Sequence, residues 1–370
     1  MALTRLLAIS GVIAIASAPA LAEKPKGDYR SHSAAIRAVV VNDDGTSIAS
    51  ADVNDTIFIW DLKSGKPMHK LALPSRTVDR GYQSYSTPER VESLAMSPDG
   101  KLIAAAMTAG ALNGAVYVWD AETGKYLRSI ADGVNVRGVA FSPDGKRIAH
   151  NISDKNRRGH RIEIRNAETG AIEKKLRGDR LAASLLRFTP DGTKLICAGG
   201  GKAFVWDIEK QELLHTIEAH DKAINDLVVS GDGAHFATCS EDGLIRIWKI
   251  EDGSREREIK ANQKALNALA YSKSGLLLAS GGDDTTIKVW KTDTGKRVNQ
   301  LWAHRDPVTA LVISGDGKTM VSGAKDKSVL AWRFSDREVE VEGEPVPDDD
   351  AATDEGGDKH NGGAGSGGGR

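Results

Sequence analysis

Cysteine is nearly absent. Two residues, Cys197 and Cys239, in a chain of 370 exclude a fold held by a disulfide framework. No Cys/His cluster has metal-ligand spacing, no Gly-x-Ser-x-Gly elbow occurs, and no glycine-rich phosphate loop opens a helix. No metal, cofactor or catalytic residue is therefore expected. A sustained helical period is missing after the first 22 residues, and period-2 alternation runs through the rest, which argues for strands. Long apolar runs are missing too, outside the N-terminus.

The N-terminus has the pattern of an export leader. Arg5 is a positive n-region, residues 6–16 are apolar, and Ala20-Leu21-Ala22 is a small-residue cleavage site. The run is short for a membrane span, and Glu23 rather than Cys follows it. The expected mature chain is exported, to a periplasm or beyond, with no membrane span. The net charge of -1 hides an asymmetry. Residues 338–370 carry ten acids against Lys359 and Arg370, whereas 23–337 hold 47 basic and 41 acidic residues. Domain boundaries are expected at 1–22 for the leader, 23–343 for the folded body and 344–370 for an acidic, glycine-rich, solvated tail.

The body is a repeat. Trp206, Trp248, Trp290 and Trp332 are each 42 residues apart. Trp60 and Trp119 belong to the same series, and Arg165 fills the slot between Trp119 and Trp206. Each residue ends a short alternating strand, such as Ile57-Phe58-Ile59-Trp60. About fifteen residues earlier comes a tight turn: Asp44-Gly45, Asp99-Gly100, Asp144-Gly145, Asp191-Gly192, Asp232-Gly233, Ser274-Gly275 and Asp316-Gly317. Glycine supplies the positive φ of such hairpins. A further glycine, as at Gly65, Gly124 or Gly253, closes the next hairpin. Seven four-stranded units result. One such sheet cannot bury both faces alone, but seven arranged radially can.

Units of this length ending in Trp60-Asp61, Trp119-Asp120 and Trp206-Asp207 resemble the WD40 family, which implies an all-β, seven-bladed propeller of four-stranded antiparallel blades. The resemblance covers about residues 31–343. It implies a buried network of loop His, strand Ser/Thr, turn Asp and Trp. Carried over by position this is His32, Ser50, Asn54 and Trp60 in blade 1, and His220, Thr238, Asp242 and Trp248 in blade 5. Blade 6 has Asn262, Ser280, Asp284 and Trp290; blade 7 has His304, Ser322, Asp326 and Trp332. Blades 2, 3 and 4 depart, with Ala105, His150 and Cys197 at the Ser/Thr position, and should be least rigid. Residues 338–342 alternate well and are the expected outer strand of blade 7, because Pro25 and Gly27 suit a strand poorly. The two cysteines are expected to be free, buried and on opposite faces of their sheets.

The departures from the repeat are insertions: residues 74–90 before blade 2, 109–114 within it and 153–161 within blade 3. All three connections open on one face of such a propeller, in one sector. They carry Arg76, Arg80, Tyr82, Tyr85, Arg90, Lys155, Arg157, Arg158, His160 and Arg161. Loops on rigid scaffolds carry function, and Tyr and Arg are enriched at interface hot spots. The expected function is a non-catalytic binding scaffold whose partner is another protein or peptide, acidic in character; the export pattern argues against nucleic acid. The rivals are an enzyme at the central channel mouth, and carbohydrate or cell-wall binding on Tyr82 and Tyr85. Replacing Arg157, Arg158 and Arg161 together by Ala is expected to weaken partner binding with little change in melting temperature.

Overall fold

The computed structural model describes residues 25–335, apart from 74–77, 80–83, 86–88, 110–113, 153–159, 179–182, 262–263 and 303; at 78–79, 84–85, 89, 109 and 132–134 it describes the backbone alone. The chain divides into two units, Met1–Val339 and Glu340–Arg370, and every described residue lies in the first. The leader and the tail fall outside the described residues.

Among the described residues every regular element is a strand, and the alternating segments form seven four-stranded antiparallel sheets. Strands are lettered a to d from the axis outward. Blade 1 is Ile36–Val41, Ser47–Asp52, Ile57–Asp61 and Pro67–Lys70; blade 5, equally regular, is Ile224–Val229, His235–Ser240, Leu244–Lys249 and Arg255–Lys260. The a–b turns carry their glycines at positive φ, for example 68° at Gly45 and 73° at Gly317. That region is strained for any residue with a Cβ. Each antiparallel meander puts its d–a and b–c connections on one face of the ring, here the top, and its a–b and c–d turns on the bottom.

Seven apolar clusters account for the core, and each spans two neighbouring blades. Trp60 lies in the cluster between blades 7 and 1, Trp119 between 1 and 2, and Trp206 between 3 and 4. Trp248, Trp290 and Trp332 face blades 4, 5 and 6 in the same way. Cys197 and Cys239 are free and buried. Cys197 belongs to the blade 3–4 cluster and Cys239 to the blade 5–6 cluster, so they face away from each other.

The last blade is completed from the other end of the chain than expected. Its strands a to c are Val308–Ile313, Thr319–Ala324 and Val329–Arg333, and its outer strand is Gly27–Tyr29, paired Gly27↔Ala331 and Tyr29↔Val329. The three-residue strand starts after Pro25, so the proline takes no ladder position. Residues 338–342, the expected outer strand, lie outside the described residues. Tyr29 explains the choice. Its ring is 2% exposed, stands edge-on to Trp60 at 5.5 Å, and its hydroxyl donates to the Leu62 carbonyl at 3.3 Å. The first strand thus clasps the last blade to the first. Tyr29→Ala is expected to destabilise the ring by about 3 kcal/mol through the cavity and the lost clasp, read as a lower denaturation midpoint; an unchanged midpoint would contradict the closure described here.

Candidate functional site

The top face is organised around the networks anticipated at the tryptophans. In blade 5 the Trp248 Nε1–H donates to Thr238 Oγ1 (3.0 Å), which meets His220 Nε2 (2.8 Å), whose Nδ1 reaches Asp242 (2.9 Å). Blade 7 repeats this through Trp332, Ser322, His304 and Asp326, at 3.1, 2.8 and 3.1 Å. In blade 1, Trp60 and His32 both meet Ser50 at 2.7 Å. The carboxylate there is Asp52 (3.0 Å), not Asn54, whose own backbone N–H bonds Asp52. The acid has moved to the end of strand b, where position alone pointed to the turn. Blade 6 keeps the bond from Trp290 to Ser280 (2.9 Å), while Asp284 caps Thr286 and pairs with Lys288 (3.2 Å); Asn262 lies outside the described residues.

Blades 2 to 4 solve the same problem differently. Trp119 donates to the Ala72 carbonyl (3.2 Å). Among the described residues Trp206 Nε1 finds no oxygen or nitrogen partner and faces only the Cys197 thiol. Blade 3, whose strands are Val139–Phe141, Arg147–Ile152, Arg161–Asn166 and Ile172–Arg177, replaces the whole network by charge. Glu163, 1% exposed, takes Arg161 Nε at 2.8 Å and Arg165 Nε at 3.0 Å. Arg165 Nε also points at His150 Nε2 (3.1 Å). Burial pushes the Glu163 carboxyl up, and the two guanidiniums more than offset it. His150 is driven down to about 4 by burial and then by Arg165, so it is a neutral acceptor. Sequence reasoning missed Glu163 and Arg165 as a pair; the signal was a charged residue in a tryptophan slot.

The innermost strands line a central cavity of 390 Å³. At its top one position of strand a ties blades 1, 5, 6 and 7 to their neighbours. Thr309 Oγ1 donates to the Ile36 carbonyl (2.6 Å) and Arg37 Nη1 to Val91 (3.1 Å). Asn225 Nδ2 donates to Leu266 (2.8 Å) and Asn267 Nδ2 to Val308 (3.0 Å). Blades 2 and 3 carry Glu92 and Arg137 there. Glu92 accepts from Arg37 (3.2 Å) and Thr108 (2.9 Å). The exposed Arg137 side chain makes no bond among the described residues. Exposed Arg90 is the second residue of the strand that carries Glu92, Glu89–Met96, and lies near Asp55, as Arg37 does. Deeper in the cavity, Arg187 pairs with Asp226 (3.4 Å), a carboxylate taken up by the Leu227 and Leu269 amides. The remaining lining is mainly Val, Leu, Ala and Phe.

Of the ten residues singled out in the insertions, Arg76, Arg80, Tyr82, Lys155, Arg157 and Arg158 lie outside the described residues. Tyr85 pairs with Val78 in a two-stranded hairpin. His160 is half-buried, and Arg161 holds Glu163. Arg161 therefore supports the fold, and its inclusion in the triple Ala variant would lower stability, contrary to the expectation above. Among the described residues no group of three or more His, Cys, Asp or Glu is placed to hold a metal ion.

The repeat units and the propeller they build define the class: the family described as "WD domain, G-beta repeat" matches residues 23–61, 81–120, 211–249, 253–291 and 295–333, just over half of the chain. The chain belongs to this WD40 family. The matches skip blade 3 and most of blade 4, where the networks change. The chain is also similar to "WD repeat and SOCS box-containing protein 1" of Danio rerio, 34% identical over 111 residues, which are 29% of this chain and 25% of that one. Similarity to "Eukaryotic translation initiation factor 3 subunit I" of Bombyx mori is 27% over 135 residues, 34% of this chain and 40% of that one. A WD repeat-containing protein of Schistosoma mansoni is 26% identical over 188 residues, 50% of this chain and 55% of that one. The matched stretches thus span from a quarter to about half of these relatives.

Burial holds His32, His220 and His304 below the usual imidazole range, with their carboxylate partners opposing it. Together with His150 they are neutral in the folded chain. Unfolding restores each to about 6.5, so the unfolded chain binds more protons, and stability is full above that value and is lost as pH falls. The melting temperature is expected to fall from about pH 7 to 5, and His150→Gln to shallow the slope by up to about 1.4 kcal/mol per pH unit. A flat profile would refute neutral imidazoles.

Proposed function

We propose that this protein is a non-catalytic scaffold that docks an acidic protein or peptide on the blade 1–3 sector of its top face. The observation that carries the reading is the interruption of the bonds between blades at the cavity mouth. Where blades 5 to 7 commit Asn225, Asn267 and Thr309 to their neighbours' carbonyls, blades 2 and 3 carry Glu92 and the exposed Arg137 at that position, with exposed Arg90 two residues before Glu92. The same sector carries the insertions with their arginines and tyrosines, and blade 3 there has exchanged its network for charge. Exposed guanidiniums suit bidentate contacts to acidic side chains. The relatives named above are WD-repeat proteins or, by name, a subunit of a larger factor, which fits a protein-docking role. The leader pattern supports placing the scaffold outside the cytoplasm, and a mature N-terminus at Glu23 in the exported fraction is the expected result.

Arg90→Ser with Arg137→Ser tests the docking surface. Both side chains are exposed, so folding should hold. Affinity for the captured partner, measured by calorimetry, is expected to fall about tenfold and more steeply as salt is lowered. Equal affinity for variant and parent would remove the blade 1–3 sector from the account.

A further inference from the structure

Six of the seven tryptophans are buried at blade interfaces. The seventh is Trp302. It closes the outer strand of blade 6, Arg297–Trp302, and is 78% exposed. Its cross-strand partner is Thr286. The same register position in blades 3, 4 and 5 holds Arg177, Glu218 and Lys260, each exposed. Charge there keeps an outer strand soluble. An indole in its place leaves a large apolar surface in water, which the packing of blade 6 does not use.

The surroundings are built rather than loose. Trp302 leads into the connection that carries His304 and Arg305. The Arg305 backbone N–H donates to Asp326 Oδ2 (2.9 Å) and that of Lys325 to the Pro307 carbonyl (2.9 Å). The His304 network thereby locks this connection to the b–c turn Lys325-Asp326-Lys327. Asp326 is consumed by His304, Ser328 and the Arg305 amide. Arg305, Lys325 and Lys327 are exposed, and their side chains make no bond among the described residues. The matching turn of blade 5 is Glu241-Asp242-Gly243. Lys327 adopts φ 71° where blade 5 places Gly243 at 79°, a conformation in which glycine is the less strained residue.

We propose that Trp302, Arg305, Lys325 and Lys327 form a second docking site, on the top rim between blades 6 and 7, for an acidic peptide segment that carries an apolar side chain. The apolar group lies on the indole face, and flanking carboxylates meet three exposed cations carried on a backbone that the Asp326 bonds hold in place. The exposed carboxylate of Asp306 and the single aromatic fit a peptide better than the continuous phosphates and stacked bases of nucleic acid. This site stands apart from the blade 1–3 sector and does not depend on it.

The test uses the full-length chain and a fluorescein-labelled peptide of four glutamates, one phenylalanine and four glutamates, followed by anisotropy. Two variants borrow blade 5 residues: Trp302→Lys, and Lys325→Glu with Lys327→Gly. Both change exposed positions, so thermal unfolding should stay near the parent, and either one alone decides the outcome if the other unfolds. Each is expected to weaken binding about tenfold, as is serine for the peptide's phenylalanine, while Lys63→Ser with Lys66→Ser, exposed in the c–d turn of blade 1 on the bottom face, binds like the parent. The proposal is overturned by no measurable binding at millimolar peptide, by unchanged affinity in the folded variants, or by tighter binding of a single-stranded polyuridine oligomer.

Discussion

Closure of the ring is the constraint on which everything else rests. A four-stranded sheet with two apolar faces is stable only between two neighbours, and seven interfaces exist only if the last blade meets the first. That seventh interface draws on both ends of the folded chain: Tyr29, Ile36 and Trp60 pack with Val321, Val329 and Ala331. Thr309 repeats the link at the cavity mouth with its bond to the Ile36 carbonyl. Loop-closure entropy grows slowly with length, so joining residues some three hundred positions apart costs only a few kcal/mol, less than burying one such interface returns.

Once closure is secured, the blades need not be equal. Blades 1, 5 and 7 hold complete His–Ser/Thr–carboxylate networks. Among the described residues blade 6 retains the bond from Trp290 to Ser280, blade 2 uses a backbone carbonyl, and blade 4 leaves the Trp206 N–H beside a thiol. Blade 3 buries an acid between two arginines, a solution whose desolvation cost its Coulomb gain offsets only with all partners present. Two of the irregular blades, 2 and 3, are also those with the insertions, whereas blade 4 passes from strand b to strand c through Gly200-Gly201 alone. In blades 2 and 3 relaxed internal constraint and surface growth occur together, because a blade held by its neighbours tolerates both.

The fold was almost fully legible, since a 42-residue period and hairpin glycines report local geometry directly. The closing strand was not. Gly27-Asp28-Tyr29 is too short to show alternation, and Tyr29 is chosen by its fit against Trp60, a partner thirty-one residues away in sequence and in another blade. Asp52 was misplaced for a related reason: Asn54 occupies the matching turn position, while the side chain that reaches His32 starts two residues earlier. The candidate site was legible as composition only. The arginines of the insertions read alike in sequence, yet Arg161 is spent on Glu163, while Arg137, outside any insertion, makes no side-chain bond among the described residues. Trp302 carried a signal of its own, a tryptophan twelve residues out of phase with the series.

The account holds that the hydrogen-bonded networks, not the blade architecture alone, set local rigidity. Hydrogen–deuterium exchange of the intact chain, resolved by blade, tests this most directly. Amides of strands b and c in blade 4, around Cys197 and Trp206, are expected to exchange well before their counterparts around Thr238 and Trp248 in blade 5 and around Ser322 and Trp332 in blade 7. Equal or slower exchange in blade 4 would contradict it.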